Sequence, residues 1–440
     1  MTPLLPYQII GARWLAEGPR VRGLADDMGV GKTAQAIAAC DLINAKNITV
    51  VVPAIMRQAW AREFRRFSNQ PRVCTIIGSA EQPMPDKGVV IVAFEAATAP
   101  TIRNALRKRD CDVLIVDEAH YLKERGSART IAIYGPQCDG KLGVAEFARR
   151  IWPLSGSLAP NHPGETYPHL RIAGTWRQGY WDFMRAFTRG KSGPYGYIVT
   201  GNKDAPRLRE LIKQVFLRRE REEVLKDLPS LVVDQLPIEP CEVHPDKPIL
   251  DRLQELKPQF EAVVKEAMDT GDWSLTKVKH IAVVRRLIGM AKVRNVAEYV
   301  RGVMTDDPSA KMILFAIHRD VINFLQQYLI GYHPRIIYGG TPDEKKQNII
   351  DQFQTNHNRR LIICQIKTAG LGITLTAAHR VLIVEPSWSP ADNWQAICRA
   401  HRMGQKRPVL AQLVSLSGSI DEAVNRVLLR KTEAISALFE

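Results

Sequence analysis

The chain has 440 residues, with 61 Lys+Arg against 46 Asp+Glu, a net charge of +15. Hydrophobic residues make up 45% and charged residues 24%, which excludes a mostly disordered chain and leaves apolar material for two or three domains. The excess positive charge fits a polyanionic partner or a solvated basic surface, and charge alone does not choose between them.

The first half alternates strand-like and helix-like stretches. Ile48 to Val52, Val89 to Phe94 and Val113 to Val116 read as buried strands. Ala34 to Asn44 and Arg57 to Phe67 read as helices between them. This alternation implies a parallel sheet covered by helices, with ligands at the carboxyl ends of its strands. From Lys141 to Lys226 the chain holds 16 Lys+Arg and 8 Asp+Glu, together with Trp152, Trp176, Trp181, Tyr180, Tyr195 and Tyr197. The tryptophans are expected in a core rather than as base-stacking platforms. Pro229, Pro237, Pro240, Pro245 and Pro248 mark a breaker-rich segment expected to be a linker. Helices follow at Leu250 to Met268 and over Val278 to Val303. A second α/β pattern closes the chain. Its strands are Met312 to Ala316, Arg335 to Tyr338, Leu361 to Cys364 and Val381 to Val384, and its helices are Arg319–Leu329, Glu344–Gln354 and Ala391–His401.

The predicted organisation is a first α/β domain over 1–229, with 141–226 as a basic, partly helical insertion. A linker and helical protrusion over 230–288 and a second α/β domain over 289–440 complete it. No apolar run approaches the ~20 residues of a membrane-spanning helix. Met1 to Gln8 lacks the pattern of a secretory signal. The seven cysteines are scattered with no Cys-x-x-Cys pair, so neither a zinc site nor a disulfide framework is expected. A cytoplasmic protein is the expectation.

Three motifs carry chemistry. In Asp26-Asp27-Met28-Gly29-Val30-Gly31-Lys32-Thr33, before a predicted helix, Gly29 and Gly31 let the backbone turn its N–H groups toward a phosphate. Lys32 would neutralise the β/γ-phosphates and Thr33 would hold Mg²⁺. Asp117-Glu118-Ala119-His120 follows a predicted strand. There Asp117 can hold Mg²⁺ and Glu118 can polarise an attacking water. Third, Arg399 and Arg402 are three apart, so on a helix they share a face, where two guanidiniums could reach a γ-phosphate as arginine fingers.

Together these motifs resemble those of superfamily-two helicases and translocases, and details are similar to the Swi/Snf-like branch, with a look of its annealing-helicase subgroup. Pro6-Tyr7-Gln8 with Gly11 looks like the adenine-reading Gln motif. Asp26–Thr33 is similar to that branch's first motif, with Asp27 in place of Glu. Leu154-Ser155-Gly156-Ser157, then Pro160-Asn161, resembles motif III without its Thr-Pro. Phe216-Leu217-Arg218-Arg219 looks like an element closing the first lobe, and Thr368 to Ala378 and the Arg399–Gln405 run resemble motifs V and VI.

The resemblance implies two RecA-like parallel-sheet lobes with ATP in the cleft between them. Gln8, Gly29, Gly31, Lys32, Thr33, Gly370 and Gln395 would bind the nucleotide, and Thr33 and Asp117 would bind Mg²⁺. Lys32, Asp117, Glu118, Arg399 and Arg402 would carry the catalysis. The implied activity is ATP-driven movement on double-stranded DNA, in repair, recombination or fork processing, with forked or branched DNA and a targeting protein as further partners. Arg57, Phe94, His318, Lys367 and Thr374 sit in motifs facing the nucleic-acid groove of relatives, and Arg177, Arg185 and Lys191 could add contacts. The alternatives are a strand-separating or RNA-acting helicase, the motor of a restriction system, and a non-hydrolysing DNA-binding scaffold.

Overall fold

A computed structural model describes residues 3–79, 82–135, 143–159, 161–193, 196–240, 247–256, 258, 279–366, 373–387, 389–419 and 421–422. The chain divides into two compact units. The first holds residues 1–189 and 201–226, and the second holds 190–200 and 227–437.

The strands in chain order are β1 (Gly23–Leu24), β2 (Asn47–Val52), β3 (Cys74–Ile77), β4 (Gly88–Ala93), β5 (Cys111–Asp117), β6 (Ala148–Leu154), β7 (Thr188–Gly193), β8 (Gly196–Asn202) and β9 (Phe216–Leu217). They continue with β10 (Leu231–Ile238), β11 (Met312–Ala316), β12 (Arg335–Ile337), β13 (Leu361–Gln365), β14 (Arg380–Ile383) and β15 (Val409–Leu416). The first unit carries a seven-stranded sheet ordered β3-β4-β2-β5-β6-β1-β9, and every pairing in it is parallel. Strands β2 and β4 are apolar along most of their length because helices cover both faces. The helix Arg57–Phe67 shows why the pattern works: Trp60, Ala61 and Phe64 share one buried face, while Arg65 and Arg66 lie in its last turn. One face of the sheet packs Val51, Val92, Leu114 and Phe94, and the other Val50, Ile91, Ile115 and Trp152.

The second unit carries a six-stranded sheet ordered β10-β15-β14-β11-β13-β12, again wholly parallel. Strands β7 and β8 form a separate two-stranded ribbon. The two parallel α/β sheets agree with the expected fold class.

Two expected regions take a different form. The basic segment 141–226 is helical at Tyr167–Ile172, Tyr180–Phe187 and Ala205–Lys213, and it also supplies β6 and β9 to the first sheet. Trp152 and Trp176 are buried there, and Trp181 is exposed. The expected linker at 230–288 is corrected at its start, because Leu231–Ile238 is strand β10, paired in register with β15 over eight residues. Pro237 is tolerated because β10 lies at the edge of the sheet, where one side of the backbone needs no ladder partner. The proline count hid a strand that holds Leu231, Val232, Val233, Leu236 and Ile238. The single helix Lys279–Asp306 then runs through the expected boundary at 289. Its Val284 and Ile288 pack with Leu256 and Leu416, and its Val296 and Val300 pack against the sheet. Residues 247–256 are helical, and the rest of the expected helix to Met268 lies almost wholly outside the described residues. Among the described residues no helix is long and apolar enough to cross a membrane.

Candidate nucleotide site

Four adjacent parallel strands, β5, β6, β1 and β9, end on the same edge of the first sheet. The residues at or just beyond these ends are Asp117-Glu118, Ser155-Gly156, the Asp26–Lys32 loop and Arg218-Arg219. Parallel order therefore brings together groups that lie far apart in the chain.

In the loop, Gly29 and Gly31 take left-handed backbone angles, with φ of 88° and 79°. That conformation is cheap only for glycine, and it starts the helix Lys32–Leu42 at Gly31. Lys32 Nζ donates to the main-chain carbonyls of Asp26 at 2.6 Å and Asp27 at 3.0 Å. Burial weakens its hold on the proton, and the carboxylates of Glu118, Asp26, Asp117 and Asp27 oppose that effect. Tyr7 Oη and Gln8 Nε2 both donate to the Val30 carbonyl, at 2.9 and 3.2 Å, so the first helix docks directly on the loop. Gln8 Oε1 accepts from Leu5 N at 3.0 Å. Thr33 is half-buried at the start of the loop helix.

Asp117 ends β5 with its carboxylate buried. Burial, and then the neighbouring Glu118, raise its pKa to about 6. Trp60 Nε1 donates to Asp117 Oδ2 at 2.7 Å and favours the charged form. Glu118 sits at φ 50°, ψ 50°, a left-handed conformation that costs a non-glycine residue on the order of 1 kcal/mol and is a mark of functional turns. Glu118 Oε2 lies 3.3 Å from His120 Nδ1, which is 3.2 Å from Ser155 Oγ. Ser155 Oγ in turn donates to Ser157 O at 2.8 Å. A Cβ on Gly156 would meet Met28 at 2.6 Å and stand 3.5 Å from Lys32 Nζ, so glycine keeps the lysine's surroundings open.

These residues fit ATP and Mg²⁺. Among the described residues, the hydrogen bonds of the lysine go to main-chain oxygens of the loop itself. Burial and the neighbouring Glu118 make the Asp117 carboxylate hold its proton unusually tightly, and a divalent cation there would offset both. The glycine at 156 leaves room that a side chain would fill.

In the second unit the helix Pro390–Ile397 stops before both arginines, which corrects the expectation that they share a helical face. The turns after it do the same work by another route. Arg399 Nη1 and Arg402 Nη1 lie 3.5 and 3.3 Å from the same carbonyl, that of Ile373. Arg399 Nε also donates to the Gln395 carbonyl at 3.2 Å, and Gln395 is buried. Gln405 Nε2 donates to the carbonyls of Ala378 and Ala400 and so fixes the turn. Gly370 and Lys367 lie outside the described residues.

The expected nucleic-acid residues fall in several settings. Phe94 is corrected: it is 1% exposed, and its ring stacks on Tyr121 at 5.3 Å within the core, out of reach of a ligand. Arg57 and Thr374 are half-buried, and Arg177, Arg185 and Lys191 are exposed. Arg185 pairs with Asp182 at 2.6 Å. His318 is held by the buried Glu385, which takes His318 Nδ1 at 2.7 Å and the amides of Ile317 and His318. Among the described residues no group of three or more His, Cys, Asp or Glu is arranged to hold a metal ion.

Sequence reasoning assigned no role to Gln35 or Glu385, and it placed Trp60 and Arg219 only in family-like segments, without their contacts to Asp117 and Asp26. A readable signal existed for Arg219. An aspartate at 26, where a phosphate loop usually has glycine, is a carboxylate at a buried strand end and needs a cation.

Residues 7–245, more than half of the chain, match the SNF2-related domain, and residues 291–404 match the helicase conserved C-terminal domain. A DNA annealing helicase and endonuclease, ZRANB3 of Mus musculus, is 28% identical over 98% of this chain and 40% of its own length. The Caenorhabditis elegans homolog of SWI/SNF-related matrix-associated actin-dependent regulator of chromatin subfamily A-like protein 1 is 27% identical over 98% of this chain and 61% of its own. The chain thus spans about two-fifths to three-fifths of the length of these curated relatives. Among solved structures, the Sulfolobus solfataricus SWI2/SNF2 ATPase core in complex with dsDNA is 20% identical, with a TM-score of 0.46 over 99% of this chain and 92% of that one.

Proposed function

Because this chain belongs to the SNF2-related family, we propose that it is a DNA-dependent ATPase that moves along double-stranded DNA. The observation that carries the ATPase part is the convergence of Lys32, Asp117, Glu118 and Ser155 at one edge of the first sheet. Lys32 would exchange its carbonyl partners for phosphate oxygens. Asp117 and Thr33 would hold Mg²⁺, which neutralises charge on the phosphates when bound. Glu118 would orient the attacking water and accept its proton, while His120 ties Glu118 to Ser155 and so to motif III. Arg399 and Arg402, held on one carbonyl, would supply the guanidiniums that stabilise the transferring phosphoryl group.

The DNA part is supported by the net charge of +15 and by the exposed Arg177 and Lys191. Phosphate contacts of this kind give weak sequence preference and steep salt dependence. Relatives named as annealing helicases support forked or branched DNA as the working substrate. ATP hydrolysis measured with no nucleic acid, duplex DNA, forked DNA, single-stranded DNA and RNA tests the proposal. Stimulation by duplex and forked DNA is the expected result. Stimulation by RNA alone would overturn the substrate, and hydrolysis on none of them would leave a DNA-binding scaffold.

A further inference from the structure

Asp26 uses both of its ends. Its main-chain carbonyl takes Lys32 Nζ, and its side chain, fully buried, takes Arg219. Arg219 Nε donates to Asp26 Oδ1 at 3.0 Å, and Arg219 Nη2 bonds Asp26 Oδ2. The same guanidinium donates to Gln35 Oε1 at 2.8 Å and to the Tyr7 carbonyl, and it lies 5.4 Å from the centre of the Tyr7 ring. Tyr7 Oη returns to the loop at Val30. The contacts close a ring: loop start, Arg219, first helix, loop middle. Packing enforces it. A Cβ on Gly11 would stand 1.8 Å from Gln35 Oε1 and 2.9 Å from Arg219 Nη2, so a side chain there would push on the two groups that Arg219 and Gln35 bring together.

We propose that Arg219 is a positioning residue that sets nucleotide affinity and base preference by holding Gln8 and the phosphate loop in one fixed geometry. The inference rests on the ATPase reading above. A guanidinium is suited to this task because its planar fork can serve a carboxylate on one edge and carbonyl oxygens with the rest; an ammonium cannot serve all of them at once. Arg219 does not touch the reacting atoms in this geometry. Its loss should therefore loosen nucleotide binding more than it slows the bound complex.

The test uses the full chain with Arg219→Lys and Arg219→Gln. Fluorescent ADP and GDP give equilibrium affinities without DNA, and steady-state hydrolysis on duplex DNA gives KM and kcat. Arg219→Gln should weaken ADP binding at least tenfold, cut the preference for ADP over GDP at least fivefold, and leave kcat at saturating ATP within about threefold. Arg219→Lys keeps the buried positive charge and remains informative if the Gln variant does not fold. It should show the same selective loss at a smaller size. A folded Lys variant with unchanged ADP affinity and unchanged base preference overturns the inference. So does a variant whose kcat collapses while KM stays constant. A wild-type protein that binds no adenine nucleotide overturns the ATPase reading itself, and the two failures are thereby distinguished.

Discussion

The hydrogen bond from Trp60 to Asp117 offers a quantitative test of how the site holds its carboxylate. Trp60 is fully buried, and its indole N–H stands 2.7 Å from Asp117 Oδ2. Trp60→Phe removes that donor and keeps an aromatic ring beside Phe64. A hydrogen bond to a charged group is worth about 1.5–3 kcal/mol, and one pKa unit is about 1.4 kcal/mol, so Asp117 should rise by about one to two units. It starts at about 6, raised by burial and by Glu118. The sign follows directly. The indole stabilises the anion, so its loss favours the protonated form, and protonated Asp117 is a poor ligand for Mg²⁺. The acid limb of kcat/KM for ATP on duplex DNA should therefore move upward by about one to two pH units, with activity recovering toward pH 9. Phe64→Leu is the control. It trims the same core and leaves the indole in place, so its limb should not move. If Trp60→Phe lowers the rate equally at every pH, the indole acts only as packing and the reasoning fails.

Other outcomes follow from the same geometry. Glu118→Gln should abolish hydrolysis while nucleotide affinity stays within a few-fold of wild type, because the amide keeps the shape and loses the proton acceptor; trapping of radiolabelled ATP checks this. Arg402→Ala should lower kcat by about 10³-fold or more if the guanidinium reaches the phosphoryl group, and a rate within tenfold of wild type removes it from that role. In the second unit, Lys292 is 1% exposed and pairs with Asp421 at 2.6 Å. Lys292→Ala should cost about 3–5 kcal/mol of that unit's stability, and Lys292→Met with Asp421→Ala together should cost much less, because both charges leave. Urea titration of the three proteins measures the difference.

The strands of both sheets were legible wherever they were short, continuous apolar runs, as at Met312–Ala316, because a parallel sheet buries both faces. Strand β6 was obscured by Arg149 and Arg150 at its start, where it emerges from the core. Strand β10 was obscured by its prolines, which an edge position tolerates. The glycine–lysine loop and the Asp117-Glu118 pair were legible because phosphate and metal chemistry restrict residue type and local spacing. Their support was not. Trp60 lies 57 residues from Asp117, and nothing in a helix of Trp, Ala and Phe says that one indole nitrogen will end at a carboxylate. The spacing of Arg399 and Arg402 suggests one helical face, whereas in the structure both approach one carbonyl for a different reason. Their approach arises from turns that aim both at Ile373 after the helix has ended.

The pairing of Asp26 with Arg219 also sets a schedule. The two residues are 193 positions apart. At about 5–20 residues per second, a ribosome makes the carboxylate roughly 10–40 s before the guanidinium that neutralises it. Most of the first sheet, through β6, can assemble in that interval, but burying the Asp26 carboxylate before its counter-charge arrives is costly. The nucleotide loop is thus encoded near the beginning of its unit and is among the last parts to settle, and competence for ATP reports that the whole unit has been synthesised.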